Sequence, residues 1–506
     1  MNLPWLLSAL IALPLVFGTV LALLPGLKAE PVRLLAIAVQ ILLFLLSLPL
    51  LLALPSSGYG FEETREWVPG LNIRYHLGVD GISGPLVVLT TLLAPIVLLS
   101  SYGHVKDRVR QYCVLLLWME AGMVGAFCAL DLVLFYLFFE MSLIPLYLVV
   151  GVYGGARRIH AAFKFVAFTV AGSLFLLIAI LYLLQKAGTS DYPALLGLDL
   201  SAREELYLFA GFALAFGVKV PLFPAHTWLP DAHVEAPTGG SVILAGITLK
   251  MGAYGLLRFA LPLFPRAAHQ AQNLFLVLAV IGILYGALLA WAQTDLKKLI
   301  AYSSISHLGF VVLGIFAVST KAAGGSVLTM VGHGLSTGAL FLLVGMIYER
   351  ARKRGLEDFG GLARTMPWFT VFLILATLSS IGLPGLNGFV GEFLILLGTF
   401  EEHPFMASLG AIGVLLGAIY MLGMVKSVLF GPIKTNQTAT YADLSAREIG
   451  LLAPLFVLML WIGLFPGFLL DRIGPAVDRA LQMPRLEQSA VPSPGLPCET
   501  MDRGER

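Results

Sequence analysis

Long apolar runs, separated by short polar segments, follow one another along most of the chain. Each run is about 20 residues long, the length that an α-helix needs to cross the hydrocarbon core of a bilayer. The pattern predicts fourteen spans, which start near residues 3, 32, 81, 112, 132, 163, 205, 240, 273, 299, 325, 368, 407 and 449. The sequence therefore predicts an all-α polytopic membrane protein. Its first run has no basic start and no small-residue cleavage site, so we interpret it as a retained span.

The composition excludes several classes of function. The chain has 506 residues, of which 58% are hydrophobic and 12% are charged, whereas about 25% are charged in a soluble globular protein. The net charge of +2 comes without a basic tract, so nucleic acid is not an expected partner. The three cysteines, Cys113, Cys128 and Cys498, are too few and too scattered for an iron–sulfur cluster, a zinc site or a disulfide framework. Because a phosphate-binding glycine motif is also missing, the chain is expected to hold no cofactor and no metal.

The distribution of lysine and arginine orients the predicted spans. Eighteen of the 32 cations fall in loops after odd-numbered spans, seven, among them Arg258, in loops after even-numbered spans and five in the C-terminal tail. Because cytoplasmic loops carry the excess of cations, both termini are predicted to lie outside, on the periplasmic side of a bacterial inner membrane. Two cations are left inside predicted spans, Lys219 and Lys250. Since a cation at mid-bilayer costs roughly 2.5–3.5 kcal/mol on insertion scales, both are predicted to face polar groups or water.

Four more ionisable residues inside predicted spans complete a candidate relay: Glu140, His307, His333 and Glu392. A single histidine in a span is as often a packing residue as a functional one, whereas intramembrane carboxylates and lysines are functional by default. Burial disfavours the charged form of such groups, and a neighbouring opposite charge favours it. We therefore interpret Glu140 and Lys219 as an electrostatic switch. Lys250 and the two histidines would pass protons onward, and Glu392 would be the exit.

Other polar residues leave alternatives open. Glu120, in "LLLWMEAGMVG", is either a second proton site or a helix-packing partner. His226 and His233 flank Asp231 in a polar segment after Lys219. These residue types suggest a metal site, but two loop histidines seven residues apart are a weak signal, and we favour a capping or gating role. Lys219 lies near the end of its span, so snorkelling to the interface is the alternative to a role in transport.

Two spans are interrupted by proline and glycine. They contain "GVKVPLFPAHTWLP" in span 7 and "SSIGLPGLNGFVGEF" in span 12. Because the interruptions are five spans apart, spans 4–8 and 9–13 are predicted to form two inverted repeats, each with a broken helix at the ion site. The predicted units are residues 1–105 with spans 1–3, 106–262, 263–432, a last span in 433–472 and a short disordered tail in 473–506.

The longest of these motifs, "FGVKVPLFPAHTWLPDAHVEAPTGGSVILAGITLK", resembles the antiporter-like subunits of respiratory complex I, the proton-translocating NADH:quinone oxidoreductase. The segments "LFYLFFEMSLIPLYLVVGVYGG", "AQTDLKKLIAYSSISHLGFV" and "LPGLNGFVGEF" add to the resemblance, which covers about residues 70–470. The resemblance implies that Glu140 is the carboxylate of the fifth span and Lys219 its partner in the broken seventh span. Lys250 would be the central lysine of the eighth span.

The second half of the chain points to one type within that family, subunit M or chain 4. His307 and His333 match polar positions of the family. Glu392 stands in the broken twelfth helix, where subunit M has a glutamate and the sister subunits L and N have a lysine. The chain also lacks the long lateral helix of subunit L after its last span, which favours subunit M as well.

The resemblance also implies partners. These are antiporter-like L- and N-type chains in a membrane arm, and other subunits that hold FMN, iron–sulfur clusters and quinone. Protons would be the transported species, and the lipid bilayer the surroundings. The alternative is a D-type chain of a multi-subunit Na⁺/H⁺ antiporter, which has the same fold and the same lysines.

Overall fold

The computed structural model describes residues 4–24, 26–55, 57–434 and 441–490. In these ranges twelve helical segments are long and apolar enough to cross a membrane, and they lie where the apolar runs predict spans. The polytopic helical fold is therefore confirmed. The seventh and twelfth predicted spans are each divided into two shorter helices. The count of fourteen spans, the inverted relation of the two repeats and the bounds of the predicted units stay predictions.

The helices follow one another in chain order. The N-terminal helices are α1 (Leu6–Leu23), α2 (Ala29–Ser47), α3 (Pro49–Leu52) and α4 (Ser83–Ser100). The next are α5 (Val109–Cys128), α6 (Leu132–Met141), α7 (Leu143–Tyr153), α8 (Arg158–Ala187), α9 (Tyr192–Leu195), α10 (Ala202–Lys219), α11 (Trp228–Glu235), α12 (Thr238–Ile243), α13 (Leu249–Gly255) and α14 (Leu261–Leu263). The last are α15 (Pro265–Trp291), α16 (Leu296–Phe316), α17 (Thr320–Ala351), α18 (Leu362–Thr365), α19 (Pro367–Ser380), α20 (Asn387–Glu402), α21 (Pro404–Leu429), α22 (Ala446–Leu464) and α23 (Gly467–Ala490). The α12–α14 segment and α17 are buried, whereas α1, α8, α21 and α22 expose apolar side chains.

A β-hairpin departs from the all-α prediction. Strands β1 (Gly60–Val68) and β2 (Ile73–Val79) pair antiparallel. The hairpin is docked on the helices, because Glu63 accepts a hydrogen bond of 2.9 Å from the backbone N–H of Leu7. On its other strand the His76 Nδ1 atom lies 2.5 Å from Asp191 Oδ1. A search for long apolar runs cannot detect these short strands, since their side chains are largely polar.

The docking of the hairpin is expected to depend on pH. Burial lowers the pKa of His76, but hydrogen bonds and charge interactions with Asp191 and Glu62 outweigh it, so the pKa lies above its ordinary value. Because the pKa of His76 is raised in the docked state, its protonated form stabilises docking. This contribution is complete at pH values below the ordinary histidine pKa and is lost as the pH rises through the raised pKa. Amide hydrogen exchange of residues 73–79, corrected for its intrinsic pH dependence, should therefore lose protection over that range. In His76→Gln this pH dependence should be missing; an unchanged profile would contradict the assignment.

The first broken helix places Lys219 at its interruption. A capping box of Ser201 and Glu204 begins α10, which ends at Lys219. Turns containing Pro221 and Pro224 follow before α11 begins, because proline cannot continue a helical hydrogen-bond ladder. The Trp228 indole N–H donates to the Val218 carbonyl at 3.0 Å and ties the two halves together.

The second broken helix separates α19 from α20. The connecting turn contains Gly382 and Gly385, whose φ angles of 76° and 90° are in the region that favours glycine. The Asn387 amide N–H donates to the Gly332 carbonyl at 2.9 Å, and Ser379 Oγ donates to Asn387 Oδ1 at 2.5 Å. Both interruptions lie where the proline and glycine residues predict them.

The segment that carries Lys250 is distorted by two π-helical turns, Leu244–Thr248 and Leu256–Ala260, on either side of α13. Arg258 lies in the second turn, fully inside the bundle, and not in a loop as the charge distribution predicted. The cost of burying it is offset by Asp80, whose carboxylate lies 2.5 Å from the guanidinium and is itself 0% exposed. Arg479 of α23 approaches the same carboxylate to 3.5 Å.

This buried pair gives a prediction of stability. Replacing Asp80 with alanine leaves the Arg258 charge buried without its closest carboxylate, a change that costs about 3–5 kcal/mol in buried pairs. Thermal denaturation of the purified chain in detergent should show a clear decrease in the midpoint. The double variant Asp80→Leu/Arg258→Met should recover most of it, because an apolar pair needs no charge partner. An undiminished midpoint in Asp80→Ala would contradict this role of the pair.

The C-terminal helix α23 reaches into the predicted tail, since it includes residues 473–490. The disorder of the tail stays a prediction. Leu469, Ile473, Val477 and Leu481 recur every four residues and are buried, which is the spacing of one helix face. This face packs on α15 and α17. Residues 491–506, with Cys498, lie outside the described residues.

Candidate functional site

Lys250 lies at the centre of the bundle and is 0% exposed. Its Nζ atom donates to the carbonyl of Ala245 in the first π-helical turn, and to Nδ1 of His333 at 2.7 Å. A π-helical turn leaves backbone carbonyls without their usual partner, which explains how one becomes available to an ammonium. The described ranges contain no ion pair between Lys250 and a carboxylate. Its hydrogen-bond partners there are a backbone carbonyl and an imidazole nitrogen.

A row of polar side chains continues from Lys250 to Glu392, and among the described residues one of its steps, from His333 to His307, has no hydrogen bond. The rings of His333 and His307 have centroids 5.4 Å apart. His307 Nδ1 lies 2.6 Å from Glu392 Oε1, and its Nε2 lies 3.2 Å from Ser380 Oγ. Side chains of the α12–α14 segment, α17, α16 and α20 thereby meet in one row. Four of the six residues predicted from sequence are brought together here.

Glu140 and Lys219 form a separate part of the site. Lys219 is 2% exposed, and its Nζ atom lies 4.8 Å from the ring centroid of Phe139 and 5.9 Å from that of Phe165. These aromatic faces stabilise a cation in a dehydrated position. Glu140 is half-buried at the junction of α6 and α7 and interacts electrostatically with Lys219. Among the described residues the two form no direct ion pair.

The interruption after α10 brings Lys219 next to the segment of Lys250. A Cβ atom built at Gly252 would lie 2.8 Å from the Phe216 carbonyl oxygen and 3.0 Å from the Lys219 Cβ atom. Only glycine permits this close approach of α13 to α10 without displacement. In the part of the chain that the structure covers, no hydrogen bond joins the two lysine side chains. Among the described residues the relay thus has three gaps without a direct hydrogen bond or ion pair: Glu140 to Lys219, Lys219 to Lys250, and His333 to His307.

The polar segment after Lys219 holds a residue that sequence reasoning underestimated. His233 is 0% exposed. Its ring is stacked on Phe341 with centroids 4.6 Å apart, and neither ring nitrogen has a hydrogen-bond partner among the described residues. It interacts electrostatically with Lys297 and Lys250. His233 lies two residues before the end of α11, in a polar stretch of sequence that does not predict a buried side chain.

The neighbours of His233 in that segment have other contacts. His226 stacks on Phe223 with ring centroids 5.8 Å apart. Asp231 forms an ion pair with Lys164, with 2.7 Å between its Oδ2 atom and the lysine Nζ atom. No group of three histidine, cysteine, aspartate or glutamate side chains that could hold a metal is found in residues 4–24, 26–55, 57–434 and 441–490. The loop histidines thus have packing partners and no shared ligand geometry.

Glu120 is also buried and lies away from the row. It is 1% exposed, and both carboxyl oxygens have no hydrogen-bond partner within the described ranges. Gln40 of α2 is close to it and is equally unsatisfied. Glu120 and Gln40 face each other where α5 packs on α2, a geometry that agrees with the packing alternative.

Comparisons with known proteins cover both halves of the chain. Residues 129–419 match the family model described as NADH:quinone oxidoreductase/Mrp antiporter, and residues 11–125 match that of the NADH-ubiquinone oxidoreductase chain 4 amino terminus. The NADH-quinone oxidoreductase subunit M of Rhodobacter capsulatus is 43% identical over an alignment 496 positions long, which covers 94% of this chain and 96% of that protein.

Two solved structures have similar folds. A chain of respiratory complex I from Thermus thermophilus, solved with bound NADH, has a TM-score of 0.86 and 36% identity, and the match covers 94% of this chain and 99% of that chain. A chain of the Mrp complex from Dietzia sp. also has a TM-score of 0.86, over 97% of this chain and 99% of that chain, but only 20% identity. The second likeness concerns the fold alone.

Proposed function

Since the chain belongs to the NADH:quinone oxidoreductase/Mrp antiporter family, among its subunit M and chain 4 members, we propose that it moves protons across the membrane through the buried relay. It is a membrane-arm subunit of a translocase, NADH-quinone oxidoreductase. The relay consists of Glu140, Lys219, Lys250, His333, His307 and Glu392.

The observation that carries the proposal is the row from Lys250 to Glu392. Arg258, the buried cation in the second π-helical turn, is neutralised by the Asp80 carboxylate at 2.5 Å. Among the described residues the hydrogen-bond partners of the Lys250 Nζ atom are a backbone carbonyl and a histidine nitrogen, and a histidine nitrogen can take over a proton from the ammonium. Histidine can accept a proton at one nitrogen and release one at the other, so the row has the chemistry of a conductor.

Glu140 and Lys219 would control when protons are released along the relay. A nearby carboxylate stabilises a buried ammonium, and this stabilisation disappears when the carboxylate is protonated or moves away. The two side chains are close enough to interact but are not locked in an ion pair, so their separation can change at small cost. The gap between Lys219 and Lys250 would be bridged by water, and His233 would link the relay to the predicted cytoplasmic side.

The environment of the relay follows from the family. The chain is part of a multi-subunit membrane complex, and we propose L- and N-type antiporter-like chains as its neighbours. FMN, iron–sulfur clusters and quinone would be bound by other subunits, and the electrons would come from NADH. A location in a bacterial inner membrane with both termini outside is proposed from the distribution of cations. The Na⁺/H⁺ antiporter alternative is less well supported, since the Mrp chain shares only 20% identity.

The test is Lys219→Ala in the assembled complex, reconstituted in vesicles. We expect proton uptake per NADH oxidised to fall, because the share of transport carried by this chain should decrease by roughly 10²-fold, the usual effect of removing a positioned proton-transfer group. Arg203→Ala, an exposed cation in the first turn of the same helix, is the matched control and should behave as wild type. A Lys219→Ala complex that assembles fully and pumps at the wild-type ratio would refute the relay.

A further inference from the structure

A cavity of about 610 Å³ lies on the side of the bundle that is predicted to be cytoplasmic. It is enclosed by the α4–α5 loop, the junction of α7 and α8, the segment between α11 and α12, and the ends of α16 and α17. Its basic side chains are Lys106, Arg108, Arg158, Lys297, Arg352 and Arg354. This basic cavity is outside the row of relay residues.

The acidic side chains of the basic cavity do not balance its charge. Of the three, Glu349 is hydrogen-bonded to His104, and Glu235 accepts from the backbone N–H of Arg157 at 2.9 Å. The third, Asp107, forms no ion pair among the described residues. Each acid is therefore either engaged elsewhere or separate from the cations.

Two of the six cations have partners of their own. Arg354 forms an ion pair of 2.6 Å with Asp295, and Lys297 donates to the Ala236 carbonyl at 2.8 Å. The other four are exposed and have no ion pair within the described ranges: Lys106, Arg108, Arg158 and Arg352. These four cations outnumber Asp107, the acid of the cavity without an ion pair among the described residues, so the concave space has a positive potential that attracts anions.

The shape of the site favours a phosphate ester over a small inorganic anion. A volume of about 610 Å³ is that of a site for a small organic molecule, whose range is roughly 300–1,000 Å³. The cavity also has an apolar rim on one side, where Ile159 lines it and is 67% exposed. Phe163, one turn further along α8, is 69% exposed. The two side chains continue the cavity along a lipid-facing helix surface, on which an acyl chain would lie.

We propose that the basic cavity binds a phosphate group, of the kind that anionic phospholipids carry in their headgroups. Basic pockets between membrane helices on the cytoplasmic side bind such headgroups by this chemistry. Arginine provides paired donors to phosphate oxygens, and Arg108, Arg158 and Arg352 face the space from three different segments. The bound lipid would hold the α4–α5 loop, the start of α8 and the end of α17 together. The proposal does not depend on the relay, because it concerns a static site.

The test uses the complete complex in nanodiscs of phosphatidylcholine that contain a photoactivatable phosphatidylglycerol. Mass spectrometry locates the labelled peptides, and we expect labelling of residues 151–163. The double variant Arg108→Gln/Arg352→Gln should weaken this labelling, by about fivefold for each basic side chain removed. Lys28→Gln/Lys298→Gln changes the same charge on the same predicted side outside the cavity, and should leave the labelling unchanged.

Competition distinguishes the source of the phosphate. If glycerol 3-phosphate and inorganic phosphate leave the labelling intact, the ligand is a lipid. If inorganic phosphate removes it, the same residues bind free phosphate, and the chemistry proposed for the cavity still holds. Equal labelling by a photoactivatable phosphatidylcholine, or an equal loss in both double variants, would overturn the site, since neither result depends on the cavity or its anion. Because the substituted arginines are exposed, assembly on native gels should be normal and the labelling interpretable.

Discussion

Replacing Lys250 with alanine is expected to stop proton transport through this chain and to leave the chain inserted and assembled. The variant removes the side chain that joins Ala245 to His333. The row that starts at Glu392 would then end at His333, which would have no ammonium group beside it to donate a proton. The chain's share of proton uptake should fall by roughly 10²-fold or more, in line with the loss of a proton-transfer group. Proton uptake and NADH oxidation, measured together in vesicles, give this share as a decrease in protons per NADH.

Lys250→Arg separates a relay from a fixed charge. Arginine keeps the positive charge at this position but does not release its proton in proteins. If Lys250 acts only through its charge, the arginine variant should pump; if it passes protons on, this variant should fail as the alanine variant does. Wild-type coupling in Lys250→Arg would therefore remove Lys250 from the relay.

The second large effect is expected at the other end of the row. Glu392→Gln keeps the size of the side chain and a hydrogen bond to His307, but it removes the group that takes the proton at 2.6 Å. We expect a loss similar to that in Lys250→Ala, measured in the same assay. Glu401→Gln is the matched control, because Glu401 lies in the same helix, is paired with Lys321 and has a side chain that is 47% exposed.

A double variant tests whether the two residues belong to one path. His307→Gln alone should lower transport, and adding it to Glu392→Gln should lower transport little further, since groups that act as a unit have non-additive effects. Multiplied losses would instead place His307 and Glu392 on separate routes.

Much of this architecture is accessible from sequence because the bilayer imposes it. The length of apolar runs locates the helices, and the cost of burying charge singles out Lys219 and Lys250. Proline and glycine mark the two interruptions correctly. The contacts of Lys250 could not be predicted from the sequence, because His333 is 83 residues away along the chain. No local pattern indicates which side chains meet across a helix bundle.

The features that the sequence missed share a physical reason. The distribution of cations predicts Arg258 in a loop, because the Asp80 carboxylate that neutralises it is 178 residues away along the chain. The π-helical turns beside Lys250 arise from packing, and helix periodicity does not predict them. The helical part of the tail escaped notice because α23 is amphipathic and has few consecutive apolar residues, unlike the spans. In each case a tertiary partner decides the local structure.

The pair of Arg258 and Asp80 has a consequence for biosynthesis. A segment that carries both Lys250 and Arg258 is costly to release alone into lipid, since each charge adds roughly 2.5–3.5 kcal/mol on insertion scales. Asp80 is synthesised 178 residues before Arg258, so its carboxylate is already in place when this segment leaves the translocon. Arg479 is made last and approaches Asp80 from α23. The order of the three residues along the chain thus allows the segment that carries Lys250 and Arg258 to be inserted next to a carboxylate that has already been synthesised, with Arg479 added afterwards.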